Sequence, residues 1–250
     1  MDRAAFDHMA ASEATHWWFV GRRAVIDAVL DRVVLPSSGD ILEAGCGTGG
    51  NLAILARRGH IQAFDPHIDA LVFARGRHPG VDIRQGALPT ELPYEPQSFD
   101  LVAALDVLEH VEDDKASARA LLDLIRPGGW LIVTVPAHQA LWGSHDRRLH
   151  HRRRYGRHEL QRLFERSDMS LLELTAFNSI LSPLAVVYRV FERRLDLDLG
   201  NQERIPPEPL NYLMARAFGL EARLIARGIR LPFGLSYIAV FRRQASPLRT

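Results

Sequence analysis

The sequence predicts an α/β protein: a doubly wound, seven-stranded sheet with an N-terminal helix and a helical cap inserted between the last two strands. Three features lead to this expectation. Short apolar runs alternate with helical stretches, the pattern of parallel strands joined by crossover helices. A glycine-rich turn, Gly45 to Gly50, leads from the first of those runs into a helical stretch. A long helical segment rich in arginine, 179–234, then separates the last apolar run from all the others. The chain has 250 residues, 47% of them hydrophobic and 24% charged, which suits one well-cored domain with an appended cap.

The elements follow in order. Residues 14–35 carry apolar positions at helical spacing (Val25, Ile26, Val29, Leu30, Val33) and stop at Pro36-Ser37-Ser38-Gly39, so 1–36 is read as an N-terminal helical lid. Strands are expected at Asp40–Ala44, Ile61–Asp65, Val81–Gln85, Phe99–Leu105 and Trp130–Val135. Helices are expected between them at Asn51–Arg58, Ile68–Arg77 and Asp113–Ile125. Pro127-Gly128-Gly129 supplies a tight turn. A helix at Arg157–Arg166 leads to a sixth strand at Ser170–Ala176. The cap, 179–234, is interrupted at Ile205-Pro206-Pro207, and a last strand follows at Leu235–Phe241. The core is therefore 37–178 plus 235–243, effectively one domain, with ligand sites at the carboxyl ends of its strands.

Composition narrows the function classes. A net charge of +1 gives no global attraction to nucleic acid, which makes that partner unfavoured. One cysteine excludes an internal disulfide and agrees with a reducing compartment. The first residues contain acids and no apolar core of a secretory signal. The longest apolar stretches fall short of the ~20 residues that span a bilayer. A cytoplasmic protein is expected.

The glycine turn is ambiguous by itself. Gly45, Gly47 and Gly50 match the dinucleotide pattern G-x-G-x-x-G, and Asp65, twenty positions after Gly45, stands where ribose hydroxyls would lie. Nicotinamide and sulfonium cofactors both suit that arrangement. Glu43 favours the second, because a carboxylate is unhelpful beside a pyrophosphate and attracts a cation.

Four segments then carry a resemblance: LEAGCGTGGN (42–51), AFDPH (63–67), LPYEPQSFDLVAALDVLEHV (92–111) and LIRPGGWLIVTVP (124–136). In order and spacing they resemble the class I S-adenosylmethionine-dependent methyltransferases, in particular the group that includes ubiquinone- and menaquinone-biosynthesis methyltransferases. The resemblance implies a Rossmann-like sheet and S-adenosylmethionine as cofactor, with S-adenosylhomocysteine as product. It also implies roles for Glu43, Ala44, Gly45, Cys46 and Gly47 around the methionine moiety, and for Asp65 on the ribose. Pro66, Gly86, Ala87 and Leu88 would border the adenine, and Asp106, Val107 and His110 would line the site after the fourth strand. Many relatives carry an acid at the position of Ala87, so backbone or water would meet the adenine amino group here.

Asp106, Glu109 and His110 lie at i, i+3 and i+4, so a helical turn would put a carboxylate pair and an imidazole on one face. Such a set is a candidate divalent-cation cluster. We read these residues as serving the cofactor site, with no metal.

Two stretches are expected to serve the acceptor. In HWWFVGRR (16–23) the substrate-contacting candidates are Trp17, Trp18 and Arg22, since two adjacent tryptophans on a helix cannot face one core. The stretch 136–160 contributes His138, Trp142, Arg153, Arg154 and Tyr155, and the end of the sixth strand contributes Asn178. Guanidinium groups beside the site suggest an anionic small-molecule, lipid-linked or glycan-type acceptor. For the catalytic base, His145 paired with Asp146 is the first candidate, with His151 and His138 behind it. Leu210–Arg230 reads as a basic amphipathic helix, which allows peripheral membrane contact. The alternatives are a nicotinamide oxidoreductase, a nucleic-acid methyltransferase and a non-catalytic subunit that binds the cofactor.

Overall fold

The structure is a computed structural model that describes residues 3–195 and 205–245. Seven strands form one sheet: β1 (Asp40–Ala44), β2 (His60–Asp65), β3 (Asp82–Gln85), β4 (Phe99–Leu105), β5 (Ile125–Pro136), β6 (Met169–Phe177) and β7 (Ser236–Arg243). Their order is β3-β2-β1-β4-β5-β7-β6, with β7 antiparallel between β5 and β6 and the other pairs parallel. This is the doubly wound sheet that the sequence predicts. The central strands are continuous apolar runs because both of their faces are covered. Ile41, Leu101, Ile132 and Ile238 belong to the core on one face, and Leu42, Val102, Leu131 and Phe241 to the core on the other.

The first core is closed by α2 (Trp17–Leu30) and α9 (Glu208–Ala226). Their close approach depends on Gly21, where a Cβ would stand 1.5 Å from the Phe218 ring. The second core is covered by α5 (Asp114–Asp123) and α7 (Arg157–Leu163), while α3 (Leu52–Ala56) and α4 (Ile68–Arg77) pack on the first. The cap between β6 and β7 consists, in its described residues, of α8 (Ser182–Leu195) and α9. Pro207 stands just before α9 and Pro209 lies in its first turn, where the missing N–H costs nothing.

Three details differ from expectation. A helix, α1 (Arg3–Ser12), precedes α2, which itself begins only at Trp17. β5 starts at Ile125 rather than Trp130: Gly128 takes a positive φ of 84°, the pairing register with β4 shifts, and the strand continues through Pro127-Gly128-Gly129. The loop after β5 is structured, with a 3₁₀ turn (Gln139–Leu141) and a short helix, α6 (Ser144–Arg148).

At the carboxyl edge of the sheet, three strands run into non-glycine residues with left-handed backbone. These are Asp106 (φ 58°) after β4, His138 (φ 60°) after β5 and Asn178 (φ 55°) after β6. Such residues are uncommon and gather at functional sites. Among the described residues no helix is long and apolar enough to cross a membrane.

Candidate active site

The glycine loop is pinned to β2: the amides of Gly45 and Cys46 both donate to the Phe64 carbonyl, at 2.8 and 3.0 Å. Gly45 has φ +71°, and a Cβ there would lie 2.7 Å from a Val107 methyl, so both conformation and space demand glycine. Gly47 has φ +53° and open space where a Cβ would be, which leaves a cradle of exposed backbone. Its amide donates to Asp65 Oδ2 at 2.8 Å, while Oδ1 accepts from the His67 amide at 2.9 Å. Oδ1 also lies 3.2 Å from His67 Nδ1, and with about four lone-pair positions Asp65 keeps acceptor capacity for one further donor.

Glu43 is fully buried at the end of β1, beside Ala44. Its Oε1 accepts from Asn51 Nδ2 at 2.8 Å and its Oε2 has no partner. Burial raises its pKa to about 8. From Asn51 the network continues to Arg22, whose Nε pairs with Asp106 Oδ2 at 2.6 Å and whose Nη2 donates to the Leu105 carbonyl at 2.9 Å. Thr134 Oγ1 donates to Asp106 Oδ1 at 2.9 Å. Arg22 is thus a buried anchor for Asp106. The sequence places Arg22 among the acceptor contacts; the structure instead buries it against Asn51, Leu105 and Asp106.

Pro66 and His67 are exposed at the end of β2, and Gly86 is buried at the end of β3 with its amide on the Asp65 carbonyl. Ala87 bridges to Glu91, and Leu88 is half-buried against the second core. Cys46 is buried, and burial drives its thiol far above the ordinary value, so it stays protonated. Sequence reasoning missed what lies across this edge. Phe6 of α1, 3% exposed, packs on the His67 ring, and Glu13 pairs with Arg77 at 2.5 Å. Phe6, Met9 and Ala10, at helical spacing, were the signal that could have revealed α1.

The acceptor side centres on Asp146, which is fully buried. Its carboxylate accepts from His151 Nδ1 at 2.9 Å, Arg154 Nε at 2.8 Å, the Gly143 amide at 2.9 Å and Arg189 of α8 at 3.2 Å. Burial works against its charge, but the His151 and Arg154 bonds outweigh it and hold the carboxyl below its usual range. The histidine paired with Asp146 is therefore His151, not His145. Burial pushes His145 down to about 3, a weak base, and its Nδ1 is buried without a partner.

With Nδ1 held by Asp146, His151 turns its other face toward His110, whose ring meets it edge-on at 4.8 Å. Glu109, His110 and His151 bring ligand-type atoms within 4.8 Å of one another. The sequence-predicted set of Asp106, Glu109 and His110 is not the one assembled, because Asp106 is held by Arg22 and Thr134. Glu109 is 1% exposed with Oε2 unpartnered; burial, then the nearby Asp106 charge, raises its pKa.

The arginine loop turns inward. Ala137 bridges to Tyr155, folding the loop back over residues 108–114. Arg153 donates to the Val111 and Glu112 carbonyls and pairs with Asp114 at 2.9 Å. Arg154 also donates to the Ala137 carbonyl, and the buried Tyr155 hydroxyl lies 3.0 Å from Asp114 and 3.1 Å from the Leu108 carbonyl. Arg154 and Tyr155 are thus buried and Arg153, 26% exposed, is tied to residues 111–114, so the three do not reach out together as the sequence suggests. The tryptophans are likewise engaged: Trp18 stacks on Phe177 and Phe218, and Trp17 meets the Phe218 ring edge-on, fastening α2 to α9. His138 stacks on Phe233 at 4.6 Å. Trp142 is half-buried before α6. Asn178 is buried with Oδ1 unpartnered.

The chain is similar in sequence and in fold to known methyltransferases. A family profile described as a methyltransferase domain matches residues 18–174. A Mycolicibacterium smegmatis protein named "Probable S-adenosylmethionine-dependent methyltransferase" is 34% identical over 124 residues, 48% of this chain and 46% of the relative. A Xylella fastidiosa protein named ubiquinone biosynthesis O-methyltransferase is 37% identical over 115 residues, 44% of this chain and 46% of the relative. The matches thus span about half the length of these curated relatives. Among solved structures, one of a complex between the Haloferax volcanii Trm112 methyltransferase activator and a methyltransferase shares the fold. Its TM-score is 0.61 at 17% identity, covering 96% of this chain and 97% of that one.

Proposed function

This chain belongs to the methyltransferase-domain family, and from that premise we propose that it is an enzyme that transfers a methyl group from S-adenosylmethionine to a hydroxyl of a small-molecule or lipid-linked acceptor. The observation that carries the proposal is Glu43. A buried carboxylate with one oxygen unpartnered, next to an open glycine cradle, fits a ligand that brings its own ammonium group.

The residues present fit the cofactor. Glu43 Oε2 would accept from its amino group, and the Gly45–Gly47 backbone would follow its methionine chain. Asp65 would take a ribose hydroxyl; Pro66, Gly86, Ala87, Leu88 and Val107 would border the base. S-adenosylmethionine supplies a methyl group already activated as a sulfonium. What the protein must add is alignment, worth roughly 7–11 kcal/mol of barrier, and removal of the acceptor's proton.

His151 is the base in this reading. Asp146 fixes its tautomer by accepting from Nδ1, so Nε2 is the basic nitrogen, and the buried carboxylate steadies the imidazolium that forms. Arg154 and Arg189 are positioning residues that hold Asp146 in place. Asn178, whose buried Oδ1 has no partner at the end of β6, serves as an acceptor contact in this reading. An oxygen nucleophile is favoured by this base and by the likeness to proteins named as ubiquinone O-methyltransferases.

Isothermal titration with S-adenosylmethionine, S-adenosylhomocysteine and NAD tests the cofactor. The first two should bind, NAD should not, and Asp65→Ala should weaken both by at least about tenfold, the cost of roughly one hydrogen bond to a charged group. Binding of NAD, or of none of the three, would overturn the proposal.

A further inference from the structure

α8 is built inside out. Its buried side carries Ser182, Arg189 and Glu192, each under 10% exposed, with Arg189 on Asp146 and Glu192 accepting from the Ser144 hydroxyl. The opposite side carries Leu184, Val187 and Phe191, which are 69%, 51% and 55% exposed, continuing a stripe that starts at Ile180 just before the helix. Steps of four, three and four residues put these on one face. A surface helix ordinarily buries its apolar stripe and exposes its charges. Scattered exposed apolar residues are commonplace, but a file of four signals something that covers it.

Where the stripe begins, just before α8, the chain touches α9 and the segment that follows it. The amide of Ile180 donates to Glu221, whose chain neighbour Leu220 is 53% exposed, and Ser179 donates to the carbonyl of Phe233, itself 42% exposed. On α9, Leu213, Arg216, Leu220, Arg223 and Arg227 are exposed at steps of three and four residues. Between Leu210 and Arg230 the sequence holds four arginines and one acid, Glu221, which is buried. Among the described residues no ion pair neutralises Arg216, Arg223 or Arg227; Arg216 donates only to the Tyr212 hydroxyl.

We propose that this face of the cap docks on an anionic bilayer surface, with the apolar stripe at the boundary between headgroups and acyl chains and the arginines on lipid phosphates. Exposed apolar side chains flanked by long basic ones are what such a surface retains. A second copy of the chain is a poorer occupant, since a two-fold interface apposes identical patches and would bring the arginines of both copies together. The inner side of the same helix holds Asp146, so docking sets the acceptor side about one helix diameter, ~10 Å, from lipid. The inference does not depend on which reaction the site performs.

Co-sedimentation of the whole chain with vesicles tests it. One set is phosphatidylcholine alone and the other an equimolar mixture with phosphatidylserine. The protein should sediment with the mixed vesicles and not with the neutral ones. Both Leu184→Ser/Val187→Ser/Phe191→Ser and Arg223→Glu/Arg227→Glu should lower that partitioning by at least about tenfold, since each basic residue near the surface contributes roughly fivefold. The two variants alter different helices, and thermal unfolding identifies either one that fails to fold, leaving the other to decide. The proposal is overturned if the wild type stays in solution with mixed vesicles or if folded variants sediment like wild type. It is equally overturned if light scattering finds a dimer that the triple substitution dissociates.

Discussion

The carboxyl edge of the sheet has two halves built by different means. Around β1 to β4 the site rests on turns and strand ends: the glycine loop pinned to β2, a left-handed Asp106 and the carboxylates Glu43 and Asp65. A side-chain network from Arg22 and Asn51 lies beneath them. Beyond β5 it is built around one buried carboxylate, gripped by a loop that folds back on itself and by one residue of a distant helix. Asp146 takes one partner from the turn before α6, two from the loop after it and one from α8. A site of turns and strand ends is specified by local sequence. A site of buried charges depends on how its loop turns back and, for Arg189, on α8, so the residue types alone do not announce which partners meet.

Substitutions at the acceptor half sharpen that contrast. His151→Ala should show the largest effect, a fall of ~10²–10⁴-fold in turnover once an acceptor is in hand, with the affinity for S-adenosylmethionine unchanged. His145→Ala should leave turnover near wild type, because that ring is already neutral and faces no partner on Nδ1. Steady-state kinetics on the pair distinguishes them, and the reverse ranking would return the base to His145. Next in size, Asp146→Ala should destabilise the fold by about 3–5 kcal/mol, since it leaves Arg154 and Arg189 buried and uncompensated. Denaturant titration measures that cost. The exposed neighbour substitution Arg147→Ala should cost less than about 0.5 kcal/mol. Because the Asp146 pKa is depressed, its contribution is present above the ordinary carboxylate value of 3.8 and fades as pH falls through the folded-state value, so the gap between variant and wild type should close in acid.

The same contrast explains what could be read from the chain. The strand ends and glycine turn were legible because Gly45, Asp65 and Asp106 occupy their positions by backbone necessity. The pairing at Asp146 was not. His145 is its immediate neighbour, yet His150 takes a left-handed φ of 55° and turns the chain back, so the amide of His151 meets the Asp146 carbonyl and its ring meets the carboxylate. Nothing in the residue types around His150 announces that turn. Six arginines in a row of eleven residues likewise read as a ligand-gripping loop, but Asp114 and the carbonyls of 110–112 lie under them and absorb Arg152 and Arg153. α8 misleads in the opposite sense. Its pattern is amphipathic, and periodicity reports that two faces differ without reporting which one is turned inward.

Glu43 offers the finest test of the glycine-loop half. Unliganded, its folded pKa of about 8 lies above the ordinary value of 4.5, so the folded state holds the extra proton. Its contribution to stability is therefore complete below 4.5 and is lost as pH rises through about 8. A cation placed against Oε2 favours the ionised form and lowers that pKa. Binding of S-adenosylmethionine at neutral pH should then release up to one proton, and affinity should rise by at most about tenfold per pH unit below 8, until the ligand's own ammonium deprotonates. Calorimetry in two buffers of different ionisation enthalpy reads the proton directly. Glu43→Gln, neutral at every pH, should bind more weakly and lose the dependence. A wild type that binds the cofactor with no proton released would mean that Glu43 does not receive the ammonium, and the cradle would have to be explained by its backbone alone.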